Sequence, residues 1–199
     1  RNDVGPGVLD EDQDGIPDSA EVEGGTYAGL DLYAMGARTG TKNLFLEVDQ
    51  MWSNDAGVVV QKEALQKVVD AFASHDIVVS FDAGSAFGSS FATTHFNLGQ
   101  THYRVPMEMC TTTDQSTCNR NISTRRSIYD WKEEFMDLRR RAIFHYVLFA
   151  VSQKVDGSCG SSGGGEVLGK EWLITRGVWG WRGSDSDRHN AHGRIPHVD

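Results

Sequence analysis

The stretch NLFLEVDQMW, residues 43–52, is apolar at its start and polar at its end, which is the pattern of a strand buried in a sheet. KEALQKVVDAFASH (62–75) predicts an amphipathic helix, because its apolar residues recur at helical spacing, namely Leu65, Val68, Val69 and Phe72. DIVVSFDAGS (76–85) is rich in β-branched residues and predicts a second strand. Strand, helix and strand in this order predict a right-handed parallel crossover.

The next part of the chain predicts one short strand and one long helix. YRVPMEM (103–109) predicts an edge strand, because Pro106 cannot donate a backbone hydrogen bond. Residues 127–153 predict a second, central helix with an apolar face that consists of Ile128, Trp131, Phe135, Leu138, Ala142 and Phe149. The end of this helix, residues 142–151, is apolar nearly all round, so we expect it to be deeply buried.

The last part of the chain completes the expected fold. DGSCGSSGGGE (156–166) is typical of a flexible connection, and EWLITRGVWGW (171–181) predicts a late strand. The order of strands and helices predicts an α/β fold, a layered domain with a mixed sheet and two main helices.

The negative charge of the chain is concentrated near its start. The formal net charge is −9, and residues 10–23 contain seven carboxylates and no Lys or Arg. This balance argues against nucleic-acid binding, which requires a basic face for the phosphates. The basic run from Arg120 to Arg141 is interrupted by acidic residues, and we interpret it as a solvated helix face. No stretch reaches the ~20 apolar residues that a membrane span requires.

The cysteines and one sequon favour a secreted, extracellular protein. A disulfide bond between Cys110 and Cys118 would close a polar loop without strain and would leave Cys159 over. Three reduced cysteines are the alternative, because three residues form a weak disulfide framework. Asn121 begins a glycosylation sequon that has meaning only in a eukaryotic secretory route. The sequence begins at Arg1 with neither Met nor an apolar leader, so we expect that a signal or pro-segment has been removed or the sequence trimmed.

The acidic stretch DEDQDGIPDSAE, residues 10–21, has the spacing of a calcium-binding loop. Its candidate ligands are Asp10, Asp12, Asp14, Ile16 through its carbonyl, Asp18 and Glu21. Alternate side chains of a tight loop converge on one centre, and Ca²⁺ takes six to eight oxygens at about 2.3–2.6 Å. Gly15 permits the sharp turn, and Glu21 can be bidentate. The spacing predicts a structural Ca²⁺ that ties the N-terminal segment to the domain.

The acidic loop differs from an EF-hand in the residues that precede and interrupt it. Glycines and Pro6 exclude an entering helix, and Pro17 replaces the apolar residue through which two hands pair. The loop therefore resembles the helix-less calcium loops of thrombospondin type 3 and dockerin modules. A disordered acidic tail is the alternative. We expect residues 1–25 to form a calcium-binding segment and residues 26–199 to form the α/β domain.

The residue types of catalytic centres do not form a complete motif in this sequence. None of the seven histidines precedes a Glu, so H-E-x-x-H is absent, and the sequence has neither Cys-x-x-Cys nor a P-loop. The stretch GSSGG (160–164) fits G-x-S-x-G, but it precedes a predicted strand instead of following one. We interpret His145 as a core histidine on the apolar face of the predicted second helix. Glu47 and Asp49 share one face of a strand, and the sequence identifies no partner for them.

The densest group of imidazoles is His189, His192 and His197 near the end of the sequence. Two imidazoles three residues apart on a helix, with a third nearby, can hold zinc. Gly193 and Pro196 disfavour a helix there, so a solvent-exposed polar tail is the alternative. These three histidines are the candidate zinc ligands.

The order of segments resembles the front part of secreted, chiefly bacterial, zinc metallopeptidase-like proteins. The resemblance rests on the calcium loop followed by DLYAMGARTGTKNLFLEVDQM, FASHDIVVSFDAG, RRAIFHYVLFAV and GKEWLITRGVWG, over roughly residues 10–180. It implies an acidic calcium segment in front of a metzincin-like α/β domain. It also implies a zinc helix with H-E-x-x-H soon after the late strand, and the sequence reaches Asp199 without that motif.

Three functions are compatible with these observations. The first is a secreted, calcium-binding metallopeptidase-like domain without its zinc-binding helix, as a fragment or as a non-catalytic relative. The second is a non-catalytic extracellular binding or assembly module that calcium stiffens for a protein partner. The third is a zinc hydrolase that uses the C-terminal histidines. The expected partners are a protein or peptide substrate or an extracellular protein, and the expected cofactor is Ca²⁺, with Zn²⁺ only in the third case.

Overall fold

The computed structural model describes residues 7–52, 59–106, 111–112, 126–150, 163–165 and 170–175. The described residues form eight strands and two α-helices, namely β1 (Lys42–Met51), α1 (Lys62–Ala73), β2 (Ile77–Asp82), β3 (Arg104–Val105), β4 (Thr111–Thr112), β5 (Arg126–Ser127), α2 (Ile128–Phe135), β6 (His145–Ala150), β7 (Gly163–Gly165) and β8 (Glu171–Thr175). Single 3₁₀ turns lie at Asp18–Ala20, Gly84–Ala86 and Thr93–His95.

Most of the described strands belong to one mixed sheet. Its strand order is β2-β1-β6-β8-β7, and β3 also pairs with β1. The pairs β1/β2, β1/β3 and β6/β8 are parallel, whereas β7 runs antiparallel to β8. Strands β4 and β5 form a separate parallel pair. The mixed sheet and the two helices confirm the α/β class that the sequence predicts.

The first of two compact units comprises residues 1–47, 61–103 and 136–145. In it β1 pairs with β2, with Lys42 opposite Ile77 and Glu47 opposite Asp82, and α1 packs against β2. Helix α1 ends at Ala73, and Asp76, with a φ of +58°, turns the chain into β2. The core of this unit contains aromatic and aliphatic side chains, including Phe45, Leu65, Phe81, Phe96 and Phe144.

The second unit comprises residues 48–60, 104–135 and 146–199. Tyr146 of β6 lies opposite Glu171 of β8, and α2 packs against β8. Trp131 of α2 is fully buried and stacks on Phe135 with a centroid distance of 5.6 Å. The ammonium of Lys132 lies 2.6 Å from a carboxylate oxygen of Glu171, so an ion pair also joins α2 to β8.

The predicted strand, helix and strand around residues 43–85 are confirmed as β1, α1 and β2, and the pairing of β1 with β2 is parallel. The handedness of the crossover stays a prediction. Helix α1 buries less of its apolar face than the spacing predicts. Leu65 is buried, whereas Val68 is 38% exposed. The predicted edge strand at 103–109 is described at Arg104–Val105, and the predicted late strand is described at Glu171–Thr175.

The predicted long helix over residues 127–153 is wrong. Helix α2 ends at Phe135, residues 136–144 form turns, and residues 145–150 form β6. The run that is apolar all round is indeed buried, but as a strand covered on both faces, and apolar periodicity alone does not distinguish such a strand from a buried helix. His145 is therefore the first residue of β6, and Leu138 is 74% exposed instead of lying on an apolar helix face.

One further expectation differs from the described structure, and others fall outside the described residues. Gly163–Gly165 forms β7, although it falls within the predicted flexible connection. The predicted disulfide partners Cys110 and Cys118, the leftover Cys159 and the sequon at Asn121 lie outside the described residues. Among the described helices, neither is long and apolar enough to cross a membrane.

Candidate metal centre

The acidic loop is folded by hydrogen bonds between its own carboxylates and its own backbone. Asp12 accepts a bond from the amide of Asp14 at 3.1 Å, and Asp14 accepts one from the amide of Ile16 at 2.8 Å. Asp10 accepts a bond from the amide of Gly15 at 3.1 Å. Gly15 adopts a φ of +92°, a conformation that favours glycine, so the sharp turn expected at this position is present.

These turns bring three of the predicted ligands together. Asp10, Asp12 and Asp14 each offer a carboxylate oxygen, and the three oxygens lie within 4.8 Å of one another. One oxygen of Asp10 (Oδ1) and one of Asp12 (Oδ2) are buried and accept no hydrogen bond from any described residue. Buried carboxylate oxygens that lack a hydrogen bond are costly, and a bound cation would remove that cost.

Glu21, the last predicted ligand, is 1% exposed and is influenced by the charges of Asp14 and Asp12, but it does not belong to the group of three close oxygens. Its Oε1 accepts a hydrogen bond from the side-chain amide of Asn43 at 3.0 Å, whereas its Oε2 is buried without a hydrogen bond from the described residues. Burial raises the pKa of Glu21 to about 8, and the charges of Asp14 and Asp12 contribute to this shift. Burial also raises the pKa of Asp14, although the amides of Asn43 and Ile16 oppose this shift.

The two remaining predicted ligands have other roles in the structure. Asp18 accepts a hydrogen bond from the amide of Glu11 at 2.9 Å, and its own amide donates to the carbonyl of Leu9 at 3.0 Å. Asp18 is thus part of the closure of the loop and does not belong to the group of three close oxygens. The side chain of Ile16 is 2% exposed, so it anchors the loop in the core, and its carbonyl as a ligand stays a prediction.

The first two residues of β1 attach the loop to the first unit. The ammonium of Lys42 donates to the carbonyl of Asp12, and the amide of Asn43 donates to Asp14 Oδ2 at 2.7 Å. Sequence reasoning missed Asn43, because it lies 22 residues from Glu21 and outside the loop motif. Its position at the polar start of an apolar strand is the one local signal that marks it.

A second polar cluster lies deeper in the first unit. Glu47 Oε2 and Asp82 Oδ2 accept hydrogen bonds at 2.8 Å and 2.6 Å from the same guanidinium nitrogen of Arg140, Nη1. The other guanidinium nitrogen, Nη2, donates to the carbonyl of Leu98 at 2.6 Å. Burial raises the pKa of Glu47 to about 7, against the opposing effect of the Arg140 charge. Glu47, for which the sequence identified no partner, is therefore one half of a buried carboxylate pair.

The Asp82 carboxylate also organises the loop that follows β2. Its Oδ1 accepts hydrogen bonds from the amides of Gly84 and Leu98 at 3.0 Å and 2.9 Å, and its Oδ2 accepts one from the amide of Gln100 at 2.9 Å. In the second unit, Asp49 accepts a hydrogen bond from the Tyr146 hydroxyl at 2.7 Å. Both acids of the Glu47 and Asp49 pair are thus engaged with partners in the core, which indicates a structural role.

The donor set of the acidic loop fits a hard divalent cation. Carboxylate and carbonyl oxygens suit Ca²⁺ and Mg²⁺, whereas zinc sites are built largely from His nitrogen and Cys sulfur. Within the described residues, Asp10, Asp12 and Asp14 are the group of acids, histidines or cysteines close enough to share one ion. The candidate zinc ligands His189, His192 and His197 lie outside the described residues.

Comparison of the chain with protein-family models, with curated proteins and with solved structures finds no match in any of the three. The interpretation of this protein therefore rests on its own residues and on the geometry of the acidic loop.

Proposed function

We propose that the acidic loop binds one Ca²⁺ ion through Asp10, Asp12, Asp14, Asp18, Glu21 and the carbonyl of Ile16. The observation that carries this proposal is the group of three carboxylates within 4.8 Å, next to a buried Glu21 with an unshared oxygen. Glu21 is independent evidence for a ligand, because a cluster of exposed acids would not by itself require an ion. Asp18 must turn away from the amide of Glu11, or offer its second oxygen, to join the coordination sphere.

Electrostatics gives the physical reason for an ion at this position. Like charges at these separations repel one another, and partial burial removes part of the screening by water. A divalent cation converts that repulsion into attraction and supplies a partner for the oxygens that accept no hydrogen bond from the described residues. Because the loop is attached to Lys42 and Asn43, ion binding stabilises the start of β1 as well as the loop.

We further propose that the chain is a secreted, metallopeptidase-like domain of metzincin-like layering without its zinc-binding helix. The order of its segments and its mixed, largely parallel sheet support this proposal. Calcium in this domain has a structural role. A non-catalytic extracellular binding or assembly module is the alternative, and peptidase activity of the full gene product would decide against it.

Calcium titration of the purified protein tests the ion site. We expect saturable binding of one Ca²⁺ per chain by calorimetry and a higher melting temperature in calcium than in EDTA. A ligand at 100 times its Kd adds about 2.7 kcal/mol to the free energy of unfolding. Asp12→Asn keeps the oxygen that accepts the Asp14 amide but removes the charge, so it should abolish most of the calcium-dependent shift.

The matched control is Glu23→Gln, which removes one negative charge from an exposed residue just outside the loop. We expect this variant to retain the calcium-dependent shift in melting temperature. Absence of binding heat in the wild-type protein, together with equal melting in calcium and EDTA, would refute the calcium site. Elemental analysis separates the ions: one zinc per chain that is lost in His192→Ala would instead support the zinc hydrolase.

A further inference from the structure

Asn43 connects two of the proposed ligands from outside the loop. Its backbone amide donates to Asp14 Oδ2 at 2.7 Å, and its side-chain nitrogen Nδ2 donates to Glu21 Oε1 at 3.0 Å. It is 7% exposed, and it belongs to β1. One residue of the sheet thus holds carboxylates that stand at the fifth and the last position of the predicted loop.

The orientation of the Asn43 side chain follows from its acceptors. Besides Glu21, its Nδ2 contacts the backbone carbonyls of Arg38, at 3.4 Å, and Thr41. Carbonyl and carboxylate oxygens only accept hydrogen bonds, so an atom surrounded by three of them must be the amide NH₂ group. The amide is therefore fixed, and it holds Glu21 by Oε1 while Oε2 keeps its capacity to bind an ion.

We propose that Asn43 is a positioning residue of the calcium site that presents Glu21 to the ion through Oε2. The inference rests on the calcium binding proposed above. Residues that hydrogen-bond a metal ligand orient it, and their loss typically lowers metal affinity about 10–100-fold. Because the bond to Glu21 is preformed, the buried carboxylate does not have to be ordered when the ion arrives. Without the side-chain amide of Asn43, no hydrogen bond from Asn43 would hold the Glu21 carboxylate in one rotamer.

The test is a double-mutant cycle on calcium affinity, measured by calorimetry. Asn43→Leu keeps the backbone bond to Asp14 but removes the side-chain donor, and we expect its Kd for Ca²⁺ to rise about 10–100-fold. Glu21→Gln removes the charge that Asn43 orients. If Asn43 acts through Glu21, Asn43→Leu should raise the Kd much less in the Glu21→Gln background than in the wild type.

A purely structural role predicts a different pattern. In that case Asn43→Leu lowers the melting temperature equally in calcium and in EDTA. Its effect on the melting temperature then adds to that of Glu21→Gln. The structural control is Arg38→Met, which removes side-chain bonds to the carbonyls of Tyr33 and Ala37 without touching a proposed ligand. We expect Arg38→Met to lower both melting temperatures and to leave the Kd unchanged.

Asn43→Ser provides a variant that keeps a hydrogen-bond donor if the leucine variant does not fold, and its Kd should lie between those of wild type and Asn43→Leu. Wild-type Kd values in both Asn43 variants, or additive effects in the cycle, would overturn the positioning role while leaving calcium binding intact. Failure of the wild-type protein to bind calcium would instead overturn the proposed function and this inference with it.

Discussion

Replacement of Glu47 by glutamine is expected to stabilise the protein at alkaline pH and to leave it nearly unchanged at acidic pH. Glu47 and Asp82 lie opposite each other on neighbouring parallel strands and share one guanidinium nitrogen of Arg140. When both carboxylates are ionised, the buried cluster carries a net charge of −1. The amide oxygen of a glutamine side chain would still accept the hydrogen bond from Arg140, so the substitution removes the charge and retains the contact.

The pKa of Glu47 gives the magnitude and the sign of this effect. Burial raises this pKa from the ordinary 4.5 to about 7, and the charge of Asp82 contributes to the shift. Between these two pH values the native protein binds more protons than the unfolded chain, so the free energy of unfolding falls as pH rises. At 1.36 kcal/mol per pKa unit, the loss above pH 7 amounts to about 3 kcal/mol, and Glu47→Gln should recover it.

Urea unfolding followed by tryptophan fluorescence, at pH values from 4.5 to 8.5, measures this effect. The relevant quantity is the difference in unfolding free energy between Glu47→Gln and wild type at one fixed calcium concentration, because the titration of Glu21 then cancels. The exposed Glu63 of α1 provides the control, because Glu63→Gln removes a surface carboxylate without touching the buried cluster. A difference for Glu47→Gln that is flat, or that favours wild type as pH rises, would show that Arg140 stabilises the ionised carboxylate and would refute the reasoning.

Three further predictions concern stability at other positions, and one of them includes a control substitution. Arg140→Met should destabilise the protein by ~3–5 kcal/mol in urea unfolding, because it leaves the Glu47 and Asp82 carboxylates buried without their cation, and a loss below ~1 kcal/mol would contradict this. Trp131→Ala should cost ~3–5 kcal/mol by the same measurement, since the indole is fully buried, whereas the exposed Leu138→Ala should change stability by less than ~0.5 kcal/mol. Gly15→Ala should lower the melting temperature in EDTA by an amount equivalent to ~1–2 kcal/mol, because the φ of +92° strains any residue other than glycine. The same substitution should weaken calcium binding in calorimetry. An unchanged melting temperature and an unchanged calcium affinity would mean that the loop adjusts without cost.

The parts of the fold that were predicted from the sequence are those with a local pattern. Helix α1 carries a helical period, strand β1 is a short apolar run with a polar end, and the acidic loop carries a spacing that predicts convergence of Asp10, Asp12 and Asp14. Strand β6 has no such period, because a central parallel strand is apolar on both faces and has the same pattern as a buried helix. The turns at 136–144 separate β6 from α2. Within them the Asp137 carboxylate accepts a hydrogen bond from the Arg139 amide at 2.9 Å, a local interaction that apolar periodicity does not detect.

The polar clusters were harder to predict, because their partners are distant in sequence. Arg140 lies 93 residues from Glu47 and 58 from Asp82, and within a run of three arginines nothing distinguishes the buried one from its exposed neighbour Arg139. Asn43 is likewise recognised only when Glu21 is placed beside it in space. Polar residues inside an apolar strand are therefore informative, since each must find a partner once it is buried.

Strand β1 contributes residues to both polar clusters of the first unit, and this arrangement supports the proposed calcium site. The start of the strand holds the acidic loop through Asn43, and four residues later Glu47 holds Arg140. Both clusters place surplus negative charge next to buried backbone, so each lowers the stability of the unit unless a cation compensates it. Arg140 compensates one of the two negative charges of the inner cluster from within the chain. Among the described residues, the cation that reaches the outer cluster is the Lys42 ammonium, which donates to a carbonyl and not to a carboxylate. A divalent ion from solution would supply that compensation to the carboxylates of the outer cluster.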